Sequence, residues 1–408
     1  MIASFLARRR LGPALAIALV AATAFFFRTR ADASARPHTP ASDQEVLEHI
    51  AIGNRDSRTR ELAQLRARLA DAPADLPLAL DVARRNIEES RARSDPRYLG
   101  YAQAALTPWW NLAPPPPQVL VLRATIRQST HDFEGALRDL DLVVAETPDD
   151  PQAWITRSVV LTVRGDYEAA TASCAPLPRL TNNLVTTLCN ASIRSLTGDA
   201  NGAYVALGRA LDASLVGRRS EGEVEWAVAT LGEIAARAGD FAEAERRFGQ
   251  ALAQDPSDTY VLAAWSDLLL DERRAPEVAA RLAGRESNDG LLLRLALAEA
   301  AAGESKASAD RALLRARFDA SHARGDVVHR REESRFVLGL EHDARQALDL
   351  AKANWEVQKE PWDVRIYLQA ALAAHDPAAA RPVLDWLDRV HLEDPPIARL
   401  AASLRGSP

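Results

Sequence analysis

Residues 225–258 read EWAVATLGEIAARAGDFAEAERRFGQALAQDPSD, and this stretch decides the fold. Its first half sets Trp226, Ala229, Leu231, Gly232 and Ala235 at helix-compatible intervals. Its second half sets Phe241, Ala244, Phe248, Ala251 and Leu252 on one face of another helix. Gly239 supplies the backbone freedom needed to leave the first helix, and Asp240 is placed to cap the second. Gly232, Ala235 and Ala244 are small enough for the two helices to approach closely, with Phe241 and Phe248 filling the space beside them. One such hairpin cannot hide its apolar face alone, so the pattern demands neighbours.

Those neighbours recur along the chain. Residues 117–150 carry Phe133, Ala136, Leu140 and Pro148 at corresponding positions, and the copy from Pro151 to about Leu180 carries Trp154, Gly165, Tyr167 and Ala170. Pro176 and Pro178 cut the second helix of that copy short. A degenerate copy spans Leu184 to about Gly217, with Ala191, Gly198, Ala203, Leu207 and Ala210. After the best copy come Thr259–Asn288, which lacks the turn glycine, and a hairpin around Gly303. Two more hairpins turn at His342-Asp343 and His375-Asp376, and residues 395–404 form a short capping helix.

The spacing resembles the tetratricopeptide repeat, a helix–turn–helix unit of about 34 residues. Leu231, Gly232, Gly239, Phe241, Ala244, Phe248, Ala251 and Pro256 all fall on its signature positions. The resemblance implies an all-α fold, a right-handed solenoid of helical hairpins. It covers residues 117–283 best and residues 284–408 in degenerate form with a C-terminal cap. Residues 43–116 read as an irregular helical cap followed by a proline-rich connection, TPWWNLAPPPP at 107–117, whose four prolines argue against helix. Trp109 and Trp110 are expected to pin that connection to the core.

In the family the first helices line a concave wall that grips partner segments. The family register places Gln118, Thr125, Gln128, Ser192, Ser195, Trp226, Glu233, Tyr260 and Asp267 on that wall. The Lys/Asn/Arg clamp with which some members hold a C-terminal carboxylate is missing. Trp226 and Tyr260 beside Glu233 and Asp267 suit an extended protein segment with apolar or basic side chains. The expected role is a non-catalytic scaffold for protein partners, with a structural subunit using its convex face as one alternative and a repeat-containing enzyme with an unrecognised site as a second.

At 408 residues, 47% apolar and 26% charged, the chain has ample material for a core. Its net charge of −6 lacks the basic footprint of a nucleic-acid binder. At the N-terminus Arg8, Arg9 and Arg10 precede an apolar run, Leu11 to Phe27, whose helix would span about 25 Å. The arginines favour retention of that end inside the cell and export of the rest. An uncleaved anchor in a bacterial inner membrane (residues 1–30), with the bulk in the periplasm, competes with a signal peptide cleaved at Ala33-Ser34-Ala35. Residues 31–42, with Pro37 and Pro40, read as a flexible tether.

The chemistry of known catalytic motifs is missing. There is no phosphate-binding Gly-rich loop ending in Lys-Ser or Lys-Thr, no Gly-x-Ser-x-Gly elbow and no His-Glu-x-x-His. A metal site from His322 and His329 with Glu332 or Glu333 has the wrong spacing for one helix face, so neither metal, cofactor nor small-molecule substrate is expected. The two Arg-Gly-Asp runs, 164–166 and 324–326, fall where inter-helix turns belong. Cys174 and Cys189 are the only cysteines, placed on packed helices of successive repeats. In an exported chain they suit a disulfide, the alternative being two buried thiols.

Overall fold

The structure is a computed structural model that describes residues 42, 57–93, 95–214, 220–326 and 328–406. The apolar run Leu11–Phe27, the Ala33-Ser34-Ala35 site and all of the tether except Ser42 lie outside the described residues. Among the described residues no helix is long and apolar enough to cross a membrane. The residues from Arg58 onward form one compact unit.

Every regular element among the described residues is helical. The described helices open with α1 (Ser57–Asp71), α2 (Leu76–Arg93), α3 (Arg97–Ala105) and a single turn, α4 (Thr107–Trp110). Helix therefore enters the proline-rich connection further than expected, because Pro108 sits in the first turn of α4, where its missing N–H costs nothing. Trp109 and Trp110 are partly buried against the α2–α3 core, and Arg123 lies over Trp110.

Hairpins follow: α5 (Pro117–Ser129) with α6 (Phe133–Glu146), and α7 (Pro151–Val163) with α8 (Tyr167–Cys174). Next come α9 (Asn183–Arg194) with α10 (Ala200–Ser214), and α11 (Glu221–Arg237) with α12 (Phe241–Gln254). Then α13 (Thr259–Asp271) pairs with α14 (Ala275–Leu282), and α15 (Asp289–Ala302) with α16 (Ala307–Ala323). The unit ends with α17 (Arg330–Phe336, extended by a π turn, Val337–Glu341), α18 (Ala344–Trp355), α19 (Pro361–Ala373), α20 (Arg381–Val390) and α21 (Pro395–Arg405), which packs on α19.

One turn design is repeated. A residue with positive φ ends the first helix, and the aspartate after it accepts the amide three residues further on. His131-Asp132, Gly165-Asp166, Gly198-Asp199, Gly239-Asp240, His342-Asp343 and His375-Asp376 all follow it. Histidine tolerates this left-handed conformation better than most residues. In the copy without a glycine Arg273 takes it, at φ 61°. Close packing sets the other small positions: a Cβ on Gly232 would stand 2.6 Å from the Phe248 ring, so α11 and α12 meet only because that Cβ is missing.

The stack does not leave its inner side open throughout. Residues from α17 to α21 return along the row of inter-helix turns of the earlier hairpins. The Gly165 turn meets Lys359 and Trp386, the Gly198 turn meets His391, and the Gly239 turn meets Pro395. A shared core joins Leu161, Tyr167, Cys189 and Leu196 to Phe336, Trp355, Tyr367 and Trp386. Trp386 sits 5.4 Å from Trp355 and 6.0 Å from Tyr167, ring centre to ring centre. Burying large aromatics of this kind drives the return.

Candidate functional site

The returning arm decides which wall residues stay reachable. Ser195 is fully buried and receives a hydrogen bond from Arg237 Nη2 at 2.9 Å. Asp267, 4% exposed, is held between Arg294 and Arg335, each at 2.6 Å. Its burial would raise the carboxyl pKa, but the two guanidinium groups outweigh it and hold the pKa down. Thr125 is buried and donates to the Val121 carbonyl at 3.0 Å. These three side chains are committed inside the molecule, a correction to their placement on an open wall. Ser195 and Asp267 are engaged from other helices, by Arg237 on α11 and by Arg294 on α15 with Arg335 on α17, whereas Thr125 bonds back to its own helix. Gln118 is exposed and Gln128 half-buried, both on α5.

The remaining four, Ser192, Trp226, Glu233 and Tyr260, converge. They line one cavity of about 210 Å³, walled by α7, α9, α11 and α13, with Glu360 and Pro361 also in its lining. Ile155, Val159, Val163 and Leu196 give it an aliphatic side. Trp226 and Tyr260 remain exposed, 38% and 60%, on successive first helices. Tyr260 Oη donates to Glu233 Oε1. Burial raises the Glu233 carboxyl pKa, against the opposing pull of Arg237 and of the Tyr260 hydrogen bond. Glu360 is ion-paired to Arg331 at 2.7 Å. The cavity is smaller than the ~300–1,000 Å³ of drug-sized pockets, and fits one amino-acid residue.

Sequence reasoning missed Glu360, Pro361 and Arg237. Arg237 was within reach, being one helical turn beyond Glu233 on α11. Glu360 and Pro361 were not, because only the arm's return brings them to α11.

Cys174 and Cys189 are joined, with sulfurs 2.00 Å and Cα atoms 5.9 Å apart, and tie α8 to α9. Cys189 also lines the cavity. His322 Nε2 lies 2.9 Å from Glu333 Oε2, and no group of three metal-ligating side chains forms among the described residues. The glycines of both Arg-Gly-Asp runs take positive φ in turns.

No family model and no curated protein matches the chain. Among solved structures it is similar to the APC/C hetero-tetramer Cut9–Hcn1, at 14% identity over 85% of this chain and 52% of that one, with TM-score 0.37. It thus spans about half the length of that chain. A tetratricopeptide repeat protein from Parabacteroides merdae gives 12% identity over 80% of this chain and 98% of that one, with TM-score 0.30. Yeast Tom70 gives 9% over 85% and 96%, with TM-score 0.25. At such low identity and overlap these likenesses carry no argument about function.

Proposed function

We propose that this chain is a non-catalytic protein-interaction scaffold of the bacterial cell envelope. An extended segment of a partner crosses the opening bounded by Trp226 and Tyr260. One observation carries the reading: two large aromatics stay exposed side by side on adjacent first helices, while the arm covers neighbouring positions. Aromatic side chains of this kind dominate binding energy at protein interfaces. The envelope location rests on Arg8–Arg10 and the apolar run Leu11–Phe27. The test is crosslinking and affinity purification from membranes of the native host. Trp226→Ala with Tyr260→Ala removes the captured partners if the opening is used; an unchanged partner set defeats the reading.

A second reading is a structural subunit that uses its outer face. Leu142 on α6, Val205 on α10 and Leu313 on α16 are exposed on second helices and favour it. Crosslinks mapping to these residues, with none at the opening, select this reading over the first.

A further inference from the structure

Glu233 and Arg237 sit one turn apart on α11, and both line the cavity. Glutamate four residues ahead of arginine is the favourable order for an ion pair along a helix. Here the pair does not form: among the described residues no ion-pair partner lies within 4.0 Å of either side chain. Tyr260 takes one oxygen of Glu233, and Ser195 takes one nitrogen of Arg237. Arg237 Nε is buried with no hydrogen-bond partner.

Arg281 and Arg365 likewise keep a buried Nε without a partner, but Arg365 and three other arginines of this unit are ion-paired. Arg294 and Arg335 grip Asp267, Arg365 grips Asp271, and Arg331 grips Glu360. Charges removed from water are costly unless paired. An acid and a base, neither with an ion-pair partner within 4.0 Å, therefore share a cavity whose lining also includes the aliphatic Ile155, Val159 and Leu196, the polar Ser158, Ser192 and Thr230, and Glu360, itself ion-paired to Arg331. A ligand that satisfies both carries an ammonium and a carboxylate a few ångströms apart, with an aliphatic group beside them.

We propose that this cavity binds a free aliphatic α-amino acid, its ammonium on Glu233, its carboxylate on Arg237 and its side chain against Ile155, Val159 and Leu196. Charge-assisted hydrogen bonds at both ends give the selectivity, and the cavity volume admits one residue. The inference goes beyond the scaffold reading and stands or falls without it.

The test is isothermal titration of the full-length protein with L-leucine, 4-methylpentanoate (no ammonium), 3-methylbutylamine (no carboxylate) and N-acetyl-leucine amide (both ends blocked). L-Leucine should bind at least ~10-fold more tightly than each of the others, the scale of one hydrogen bond to a charged group. Glu233→Gln should erase the gap between L-leucine and 4-methylpentanoate. Arg237→Gln should erase the gap between L-leucine and 3-methylbutylamine. Equal binding of the blocked amide overturns the proposal in favour of main-chain recognition within a peptide. Absence of L-leucine, L-isoleucine and L-valine binding to the wild type at millimolar concentration overturns it outright, whether or not the variants fold.

Discussion

The Lys359 backbone N–H donates to the Val163 carbonyl at 2.7 Å, joining the last residue of α7 to the loop that leads into α19. A carbonyl at a helix C-terminus has no partner inside its own helix, so the arm satisfies it from outside. Beside this bond Gly165 turns at φ 77°, packed against the same lysine and Trp386. The turn serves the hairpin and the seam at once.

Substituting that glycine separates the two roles. Gly303 has φ 72° and open space where a Cβ would go, so Gly303→Ala carries only left-handed backbone strain, ~1–2 kcal/mol. A Cβ on Gly165 would lie 3.2 Å from Lys359 and 3.4 Å from Trp386 Nε1. Gly165→Ala should therefore cost about 1–3 kcal/mol more than Gly303→Ala in urea unfolding. Equal losses would show that the seam yields freely.

The disulfide ties a hairpin whose second helix stops at Cys174. Loop-closure entropy for a sequence separation of 15 gives ~3 kcal/mol. Cys174→Ser with Cys189→Ser should lower unfolding free energy by about that amount. The wild type in reducing agent should match the variant. A wild type indifferent to reductant would place the stabilisation elsewhere.

How much of this was legible depends on range. The 225–258 hairpin with its Asp240 cap, the turns at 342–343 and 375–376 and the convergence of Trp226, Glu233 and Tyr260 follow from local periodicity and stacking. Arg273 in a glycine's place was legible only as a missing signal, because a turn constrains backbone more than residue type. The seam was not legible at all. Whether Lys359 reaches Val163 depends on small rotations summed over many hairpins, and no short pattern encodes that sum. The errors at Ser195 and Asp267 also come from beyond the local pattern: their partners, Arg237 for Ser195 and Arg294 and Arg335 for Asp267, stand on other helices.

Asp267 offers a sharp test of burial. It faces Arg294 and Arg335, and neither guanidinium has another carboxylate within 4.0 Å among the described residues. Asp267→Ala strands two inward-facing cations and should cost ~3–5 kcal/mol. Asp388→Ala, which breaks an exposed pair with Arg405, should cost no more than ~0.5 kcal/mol. Similar losses at both sites would mean that water reaches Asp267.

Asp363 makes the stability of the arm depend on pH. It is 2% exposed, accepts from Asn354 and Gln358 and takes the Glu360 amide at 2.7 Å. Burial lifts its pKa from 3.8 to about 6, and Arg331 keeps it from rising further. The native state then holds a proton that the unfolded chain releases between those values. The associated stability is complete below about pH 4 and is lost as pH rises through 6. Asp363→Asn cannot titrate, so it serves as the baseline. The stability of the wild type minus that of the variant should fall by about 2–3 kcal/mol between pH 4 and pH 7 in urea unfolding. A difference that is flat, or that grows with pH, would mean that the three donors and Arg331 overcome burial and keep the carboxylate ionised.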